Sequence, residues 1–308
     1  MDYFNRAKYF KTKKRLGQNF LIDEEVIRAI IGFADIQPED TVIEIGPGAG
    51  FVTEHLVKYA KEVIAIELDE DAVKELEKLK APNLKIIHKD ILKTDLSELC
   101  EGKAKIVANI PYYITAPIIA HLLGETDDLD NKNRNKITEI ILMVQEEVAR
   151  RMTASANSPS KQYGLLTVLS QFWADVEIVK FVGRKSFYPA PKVNSALVRL
   201  VIRENPRLKL TDYAHFRKTV KAAFSQRRKN IKNCLAAGGF AKERIQSALA
   251  SLGLDESIRG EKLSIEQFGE LSEALNHPPL EIPVRNFGPP SRGGQLGGPT
   301  SPVSGWGT

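Results

Sequence analysis

Between residues 20 and 201 the apolar positions follow two alternating rhythms. Short runs rich in β-branched residues occur at 41–45 (TVIEI), 62–66 (EVIAI), 84–88 (LKIIH) and 104–108 (AKIVA), and each is bounded by turn-forming or polar residues. Stretches with helical spacing separate them. The first begins at Asp23, an N-cap residue with Glu24 and Glu25 in the following turn, and then repeats Val26, Ile27, Ile30, Ile31 and Ala34. This strand–helix alternation predicts an α/β fold with a mostly parallel sheet wound on both faces. Three more strands are predicted at 137–143, 175–181 and 195–201. Only a short Pro-containing connection separates the last two, DVEIVKF and SALVRLV, so they are expected to pair antiparallel at one end of the sheet.

Outside this region the pattern changes. Residues 124–136 (GETDDLDNKNRNK) are polar and are predicted to form an exposed loop. From about 203 to 275 only helical spacing is visible, which implies a second, smaller, all-α domain. The last 32 residues, from His277, hold seven Pro and seven Gly and few large apolar side chains. Such a composition buries too little surface to offset the entropy of ordering, so disorder is expected there. The division expected is therefore 1–202, 203–276 and a tail at 277–308, with a basic arm at 1–20. No internal repeat is evident.

Charge sharpens this outline. A chain of 308 residues with 43% hydrophobic and 27% charged residues is typical of soluble globular proteins and long enough for two domains. Its net charge of +5 favours polyanionic partners, but distribution matters more than the sum. Lys8, Lys11, Lys13, Lys14 and Arg15 precede Gly17-Gln18-Asn19-Phe20-Leu21, and residues 203–234 hold ten Lys or Arg against two acids. Within the latter, Phe224-Ser225-Gln226-Arg227-Arg228-Lys229-Asn230 reads as helix carrying adjacent cations suited to phosphate contacts, or else as a solvated helix face. Cys100 and Cys234 have no metal-ligand spacing and read as unpaired thiols of a reducing compartment. With no secretory signal and no run of about 20 apolar residues, a cytoplasmic protein is expected.

The candidate chemistry sits at strand ends. Strand 41–45 runs into Glu44-Ile45-Gly46-Pro47-Gly48-Ala49-Gly50, where missing Cβ atoms let backbone pass close to a ligand. Glu67 ends the second strand, where a carboxylate can accept ribose hydroxyls, and Asp90 follows the third, where it can accept from an adenine amine. Together they favour an adenosyl ligand, with a nicotinamide dinucleotide still open at this point. Asn109-Ile110-Pro111-Tyr112 after the fourth strand is more specific. An aminopurine amine is a poor nucleophile because its lone pair is delocalised into the ring. The Asn109 side-chain oxygen and the Ile110 carbonyl can hold its two hydrogens and favour a tetrahedral nitrogen. Pro111 pre-sets the turn, and Tyr112 offers a face on which an extruded base stacks. The competing reading is a plain capped β-turn. Phe187, in a loop stiffened by Pro189 and Pro191, is a candidate second stacking surface. No metal is required for this chemistry.

These motifs, in this order, resemble the KsgA family of rRNA adenine dimethyltransferases, related to the Erm and Dim-type enzymes. Met143-Val144-Gln145-Glu146-Glu147-Val148-Ala149, the Phe187 loop and Phe224-Ser225-Gln226-Arg227-Arg228-Lys229 extend the similarity to roughly residues 10–275. The resemblance implies a Rossmann-like seven-stranded methyltransferase domain over 1–202 and a helical RNA-binding domain over 203–276. It implies that Asn19, Leu21, Gly46, Glu67, Asp90 and Asn109 contact S-adenosylmethionine. It further implies that Asn109, the Ile110 carbonyl, Tyr112 and Phe187 hold the target adenine, with Pro111 shaping the turn. The activity implied is N6-dimethylation of two adjacent adenines in the 3′-terminal hairpin loop of small-subunit rRNA, during biogenesis of the 30S subunit, by a monomer with no membrane association. The alternatives are an Erm-type large-subunit methyltransferase, a non-catalytic ribosome-assembly factor of the same fold, and a nicotinamide-dependent oxidoreductase. Lys89 stands where the family often has glycine, which leaves the Asp90 role intact. The Pro/Gly-rich tail has no counterpart.

Overall fold

A computed structural model describes residues 2–10, 17–159 and 161–276. The Pro/Gly-rich tail and Lys11, Lys13, Lys14 and Arg15 of the basic arm lie outside the described residues. The strands are β1 (Phe20–Leu21), β2 (Thr41–Ile45), β3 (Glu62–Glu67), β4 (Leu84–His88), β5 (Ala104–Asn109), β6 (Ile137–Gln145), β7 (Ala174–Val182), β8 (Phe187–Tyr188) and β9 (Ser195–Ile202). Seven of them form one sheet in the order β4-β3-β2-β5-β6-β9-β7. The strands from β2 to β6 pair in parallel, and β9 runs antiparallel between β6 and β7. This is the Rossmann-like methyltransferase sheet expected from the sequence, with its antiparallel end. The remaining pair, β1 with β8, forms a separate two-stranded ribbon that the sequence pattern did not predict.

Alternation along each strand divides the core into two layers. Val42, Val63, Val107 and Met143 face helices α1 (Tyr3–Tyr9), α2 (Glu24–Ala34) and α3 (Thr53–Tyr59). Ile43, Ile64, Ile106 and Leu142 face α5 (Thr115–Leu123), α6 (Glu146–Met152) and α7 (Leu165–Trp173). Helix α4 (Glu70–Glu77) packs on β4. Asp23 caps α2 as expected, its carboxylate accepting from the Glu25 and Val26 amides. After β9 the chain is helical among the described residues: α8 (Tyr213–Ala223), α9 (Ile231–Ala237), α10 (Lys242–Ser251) and α11 (Ile265–Asn276). Their apolar side chains continue into the α7 layer, where Phe216 stacks on Phe172 at 5.3 Å.

Two local expectations are corrected. The polar stretch 124–136 is folded against the core instead of looping into solvent. Arg134 is 4% exposed, lies 3.5 Å above the Trp173 ring and donates to the Leu123 and Leu129 carbonyls, while Asn133 accepts from the Leu96 amide. Inward hydrogen bonds satisfy its polar groups, so composition alone misleads there. Residues 224–230 are a turn between α8 and α9, not helix. Phe224 closes α8, and the Asn230 side chain starts α9 by accepting from the Asn233 amide. Cys100 and Cys234 are unpaired. Among the described residues no helix is long and apolar enough to cross a membrane, and no cluster of three or more His, Cys, Asp or Glu is placed to hold a metal.

Candidate active site at the switch point of the sheet

Strand order reverses between β2 and β5, so the connections leaving their carboxyl ends turn to opposite faces and open a crevice. One cavity occupies it. Its walls are the Gly46–Ala49 part of the loop after β2, Glu67 and Asp90 after β3 and β4, the Asn109–Tyr113 turn after β5, and Gly17–Leu21. Nearly all the sequence-predicted site residues therefore meet in one place: Asn19, Leu21, Gly46, Glu67, Asp90, Asn109, Ile110, Pro111 and Tyr112.

The glycine loop requires its residue types. Gly46 and Gly48 have φ of +68° and +56°, and a Cβ on Gly48 would stand 3.0 Å from the Phe20 ring. Glu67 is 8% exposed and holds the loop in shape: Oε2 accepts from the Gly48 amide at 3.0 Å, and Oε1 accepts from the Leu68 and Asp69 amides, both at 2.8 Å. Burial raises the Glu67 pKa and these three N–H groups oppose the rise. Three bonds leave spare acceptor capacity chiefly at Oε2, so Glu67 is a loop anchor as well as a candidate ligand acceptor. Asp90 uses Oδ1 for the Leu92 amide at 3.0 Å. The Gly17–Leu21 segment is latched to the far wall by Gln18, which donates to Asp69 Oδ2 at 2.7 Å, and Asn19 donates to the Gly17 carbonyl.

Glu44 was read only as part of the glycine motif, and the structure gives it a sharper character. It is 3% exposed, lines the cavity, and accepts from Thr53 Oγ1 at 2.6 Å. Burial, with a smaller contribution from the neighbouring Glu67 charge, pushes its pKa to about 8. An acid ending a strand beneath a glycine loop is the signal that could have identified it.

At the β5 end, the Asn109 carboxamide and the Ile110 carbonyl have no hydrogen-bond partner among the described residues, and both residues line the cavity. Two adjacent acceptors are thus available to a ligand. Pro111, at φ −57°, leads into a single 3₁₀ turn at Tyr112–Ile114. The Tyr112 hydroxyl pairs with Ser195 Oγ at 2.5 Å, and burial raises the phenol pKa, keeping it neutral and able to donate. Ser195 is fully buried and is held between Gln145 of β6 and Val182 of β7. The bond anchors the hydroxyl end of Tyr112 to a rigid strand. Ser195→Ala and Tyr112→Phe each remove this bond, and each is expected to cost about 1 kcal/mol. Thermal or denaturant unfolding of the double variant should show far less than the summed loss. Fully additive losses would mean that the contact contributes nothing.

Phe187 departs from expectation. It is 2% exposed, pairs with Leu21 across the β1–β8 ribbon, and belongs to the same buried cluster as Phe20 and Met143. Its ring is core, since β8 turns it inward, and it does not line the cavity; it backs the wall that Leu21 forms. Two lining aromatics that the sequence reading does not single out are Phe51, buried behind the glycine loop, and Tyr113, 64% exposed at the cavity mouth.

The sequence profile of the ribosomal RNA adenine dimethylase family matches residues 9–277. The chain belongs to this family. It is 45% identical over 270 residues to ribosomal RNA small subunit methyltransferase A of Clostridium botulinum, spanning 86% of this chain and 94% of that protein. The Moorella thermoacetica protein of the same name is 41% identical, spanning 88% and 95%. Among solved structures, a dimethyladenosine transferase from Plasmodium falciparum superposes with a TM-score of 0.66 at 27% identity, covering 81% of this chain and 94% of that one. The 23S rRNA methyltransferase ErmE gives 0.64 at 29%, covering 84% and 100%. The family read from the motifs is thus borne out, and with it membership among rRNA-modifying enzymes.

Proposed function

We propose that this adenine dimethylase-family chain uses S-adenosylmethionine to dimethylate N6 of two adjacent adenines in the 3′-terminal hairpin loop of small-subunit rRNA, acting on the 30S precursor. The observation that carries this reading is the pair of unspent acceptors, Asn109 Oδ1 and the Ile110 carbonyl, side by side in a cavity floored by glycine backbone. The residues fit the methyl donor. Gly46 and Gly48 keep Cβ atoms out of the crevice, and a Cβ at Gly48 would be blocked by Phe20. Asn19, Leu21, Gly46, Glu67, Asp90 and Asn109 would hold it, with Glu67 Oε2 and the second Asp90 oxygen as acceptors. When bound, S-adenosylmethionine supplies an electrophilic methyl group on its sulfonium.

The chain's own contribution is positioning. Asn109 and the Ile110 carbonyl accept the two amine hydrogens, which localises the nitrogen lone pair. Pro111 fixes the turn that presents both acceptors. Tyr112, tethered through its hydroxyl, offers its ring to the inserted base. Each methylation replaces one N–H by N–CH₃ and releases one proton. The tertiary geometry of the product nitrogen leaves no hydrogen for either acceptor, which ends the sequence at two methyl groups.

Residues 203–276 supply the RNA-binding part in this reading. Arg227, Arg228 and Lys229 are exposed on the α8–α9 turn, and none has an ion pair among the described residues. Changing all three to Ala is expected to weaken binding to small subunits and to lower the salt slope of log K by roughly two to three. An unchanged slope would make them a solvated turn. The function itself is tested by incubating unmodified small and large subunits separately with the protein and labelled S-adenosylmethionine, then mapping the label by mass. Label on adjacent adenines near the 3′ end supports the reading. Transfer only to large-subunit RNA would replace it with the activity named for ErmE, and no transfer would leave an assembly factor.

A further inference from the structure

Tyr112 and Tyr113 are consecutive residues on one 3₁₀ turn, where side chains diverge by about 120°. They do different things. Tyr112 points inward and is tied to Ser195. Tyr113 points out at the cavity mouth, 64% exposed, with no hydrogen-bond partner among the described residues. Its ring has Gly17 as one close neighbour. A Cβ placed on Gly17 would stand 3.3 Å from Tyr113 Cε1, so the ring edge rests against bare backbone at a position whose φ is +58°. That support restricts the ring while leaving most of it open.

Taking a base into the cavity breaks its stacking with both neighbours. Phe187 is in the core, and the other lining aromatics, Phe20 and Phe51, are buried and packed edge-on against each other, so at the β5 turn Tyr112 is the aromatic inside the cavity and Tyr113 the exposed one at its mouth. Resting on the adenine-methylation reading above, we propose that Tyr113 is a stacking platform for the unpaired RNA base adjoining the target adenine. The two tyrosines then divide the work: Tyr112 receives the inserted base and Tyr113 caps its neighbour at the mouth. Because every base has a π-face, this contact holds the strand in place without reading sequence. It also keeps the second of two adjacent target bases ordered at the entrance while the first is modified.

The test is a series at position 113, with the full chain, S-adenosylmethionine and unmodified small subunits. Tyr113→Ala and Tyr113→Leu are expected to raise the KM for subunits on the order of tenfold, with most of the loss in KM and less in kcat. Tyr113→Phe and Tyr113→Trp should stay near wild type, since they keep the ring without the hydroxyl. An exposed side chain should leave the unfolding temperature nearly unchanged, which separates this effect from misfolding. The ordering by ring, not by bulk, is the signature, because Leu fills comparable space without a π-face. A wild-type KM for Ala and Leu overturns the proposal, as does a Phe variant as impaired as Ala, which would assign the contact to the hydroxyl. Absence of methyl transfer by the wild-type chain is a separate result that removes the enzymatic reading and this platform together.

Discussion

Asn109→Ala is expected to slow methyl transfer by about 100-fold or more, the usual loss on removing one preorganised transition-state contact. The substitution keeps β5, the Pro111 turn and the Tyr112–Ser195 bond, because the Asn109 carboxamide makes no hydrogen bond to the protein among the described residues. Affinity for the RNA should hardly move, since phosphate contacts dominate it. Cofactor affinity should fall modestly, because Asn109 borders the same cavity. The deciding measurement is single-turnover transfer at saturating cofactor and RNA, which separates chemistry from binding. A rate near wild type would reduce Asn109 to a turn residue and remove the two-acceptor mechanism.

Glu44→Gln is expected to make the ligand-free protein more stable at alkaline pH and to flatten its pH dependence. The ordinary carboxyl pKa of 4.5 is raised to about 8 in the fold. Between these values the unfolded chain has lost a proton that the folded chain keeps. Stability therefore falls as pH rises through that window, by up to about 1.4 kcal/mol per pH unit from this group. Below the window both states hold the proton and the penalty is absent; above it the full penalty is present and constant. Glutamine is neutral throughout and can still accept from Thr53. Denaturant melts of both proteins from pH 5 to pH 9 check this. Parallel curves would show that Glu44 ionises without cost, through water reaching the cavity.

The sheet was legible because its strands are short β-branched runs between clear helical stretches, and β2 to β6 follow the runs that end in Ile45, Ile66, His88, Ala108 and Met143 within a residue or two. The switch-point residues were legible for a related reason. Glycines, an acid or an Asn-x-Pro directly after a strand are constrained by backbone geometry, which sequence displays. Other features depend on partners far along the chain. Strands β1 and β8 are two residues each, too short for a period, and their pairing alone turns Phe187 into the core. The run 224–230 is rich in residues that favour helix, but Asn230 is spent capping α9, which breaks the helix there. Tyr113 carried no signal beyond its aromatic neighbour, because exposure at a cavity mouth is a property of the assembled fold.

The β1–β8 ribbon also bears on how the protein is made. Asp23 and Ser186, which join beside it through a 2.8 Å hydrogen bond, are 163 residues apart. At roughly 5–20 residues per second of synthesis, roughly 8 to 30 seconds separate their appearance. Through that interval the Phe20–Leu21 wall of the crevice has no strand to pair with, and from its own synthesis until β9 is translated β6, whose side chains are mostly buried in the finished fold, is an open sheet edge. The growing chain thus passes through a stage with a sticky border and an unfinished crevice, and chaperone contact on the translating ribosome is expected to concentrate there. The crevice wall and the sheet edge are completed late, when the segment from Phe187 to Ile202 closes both gaps.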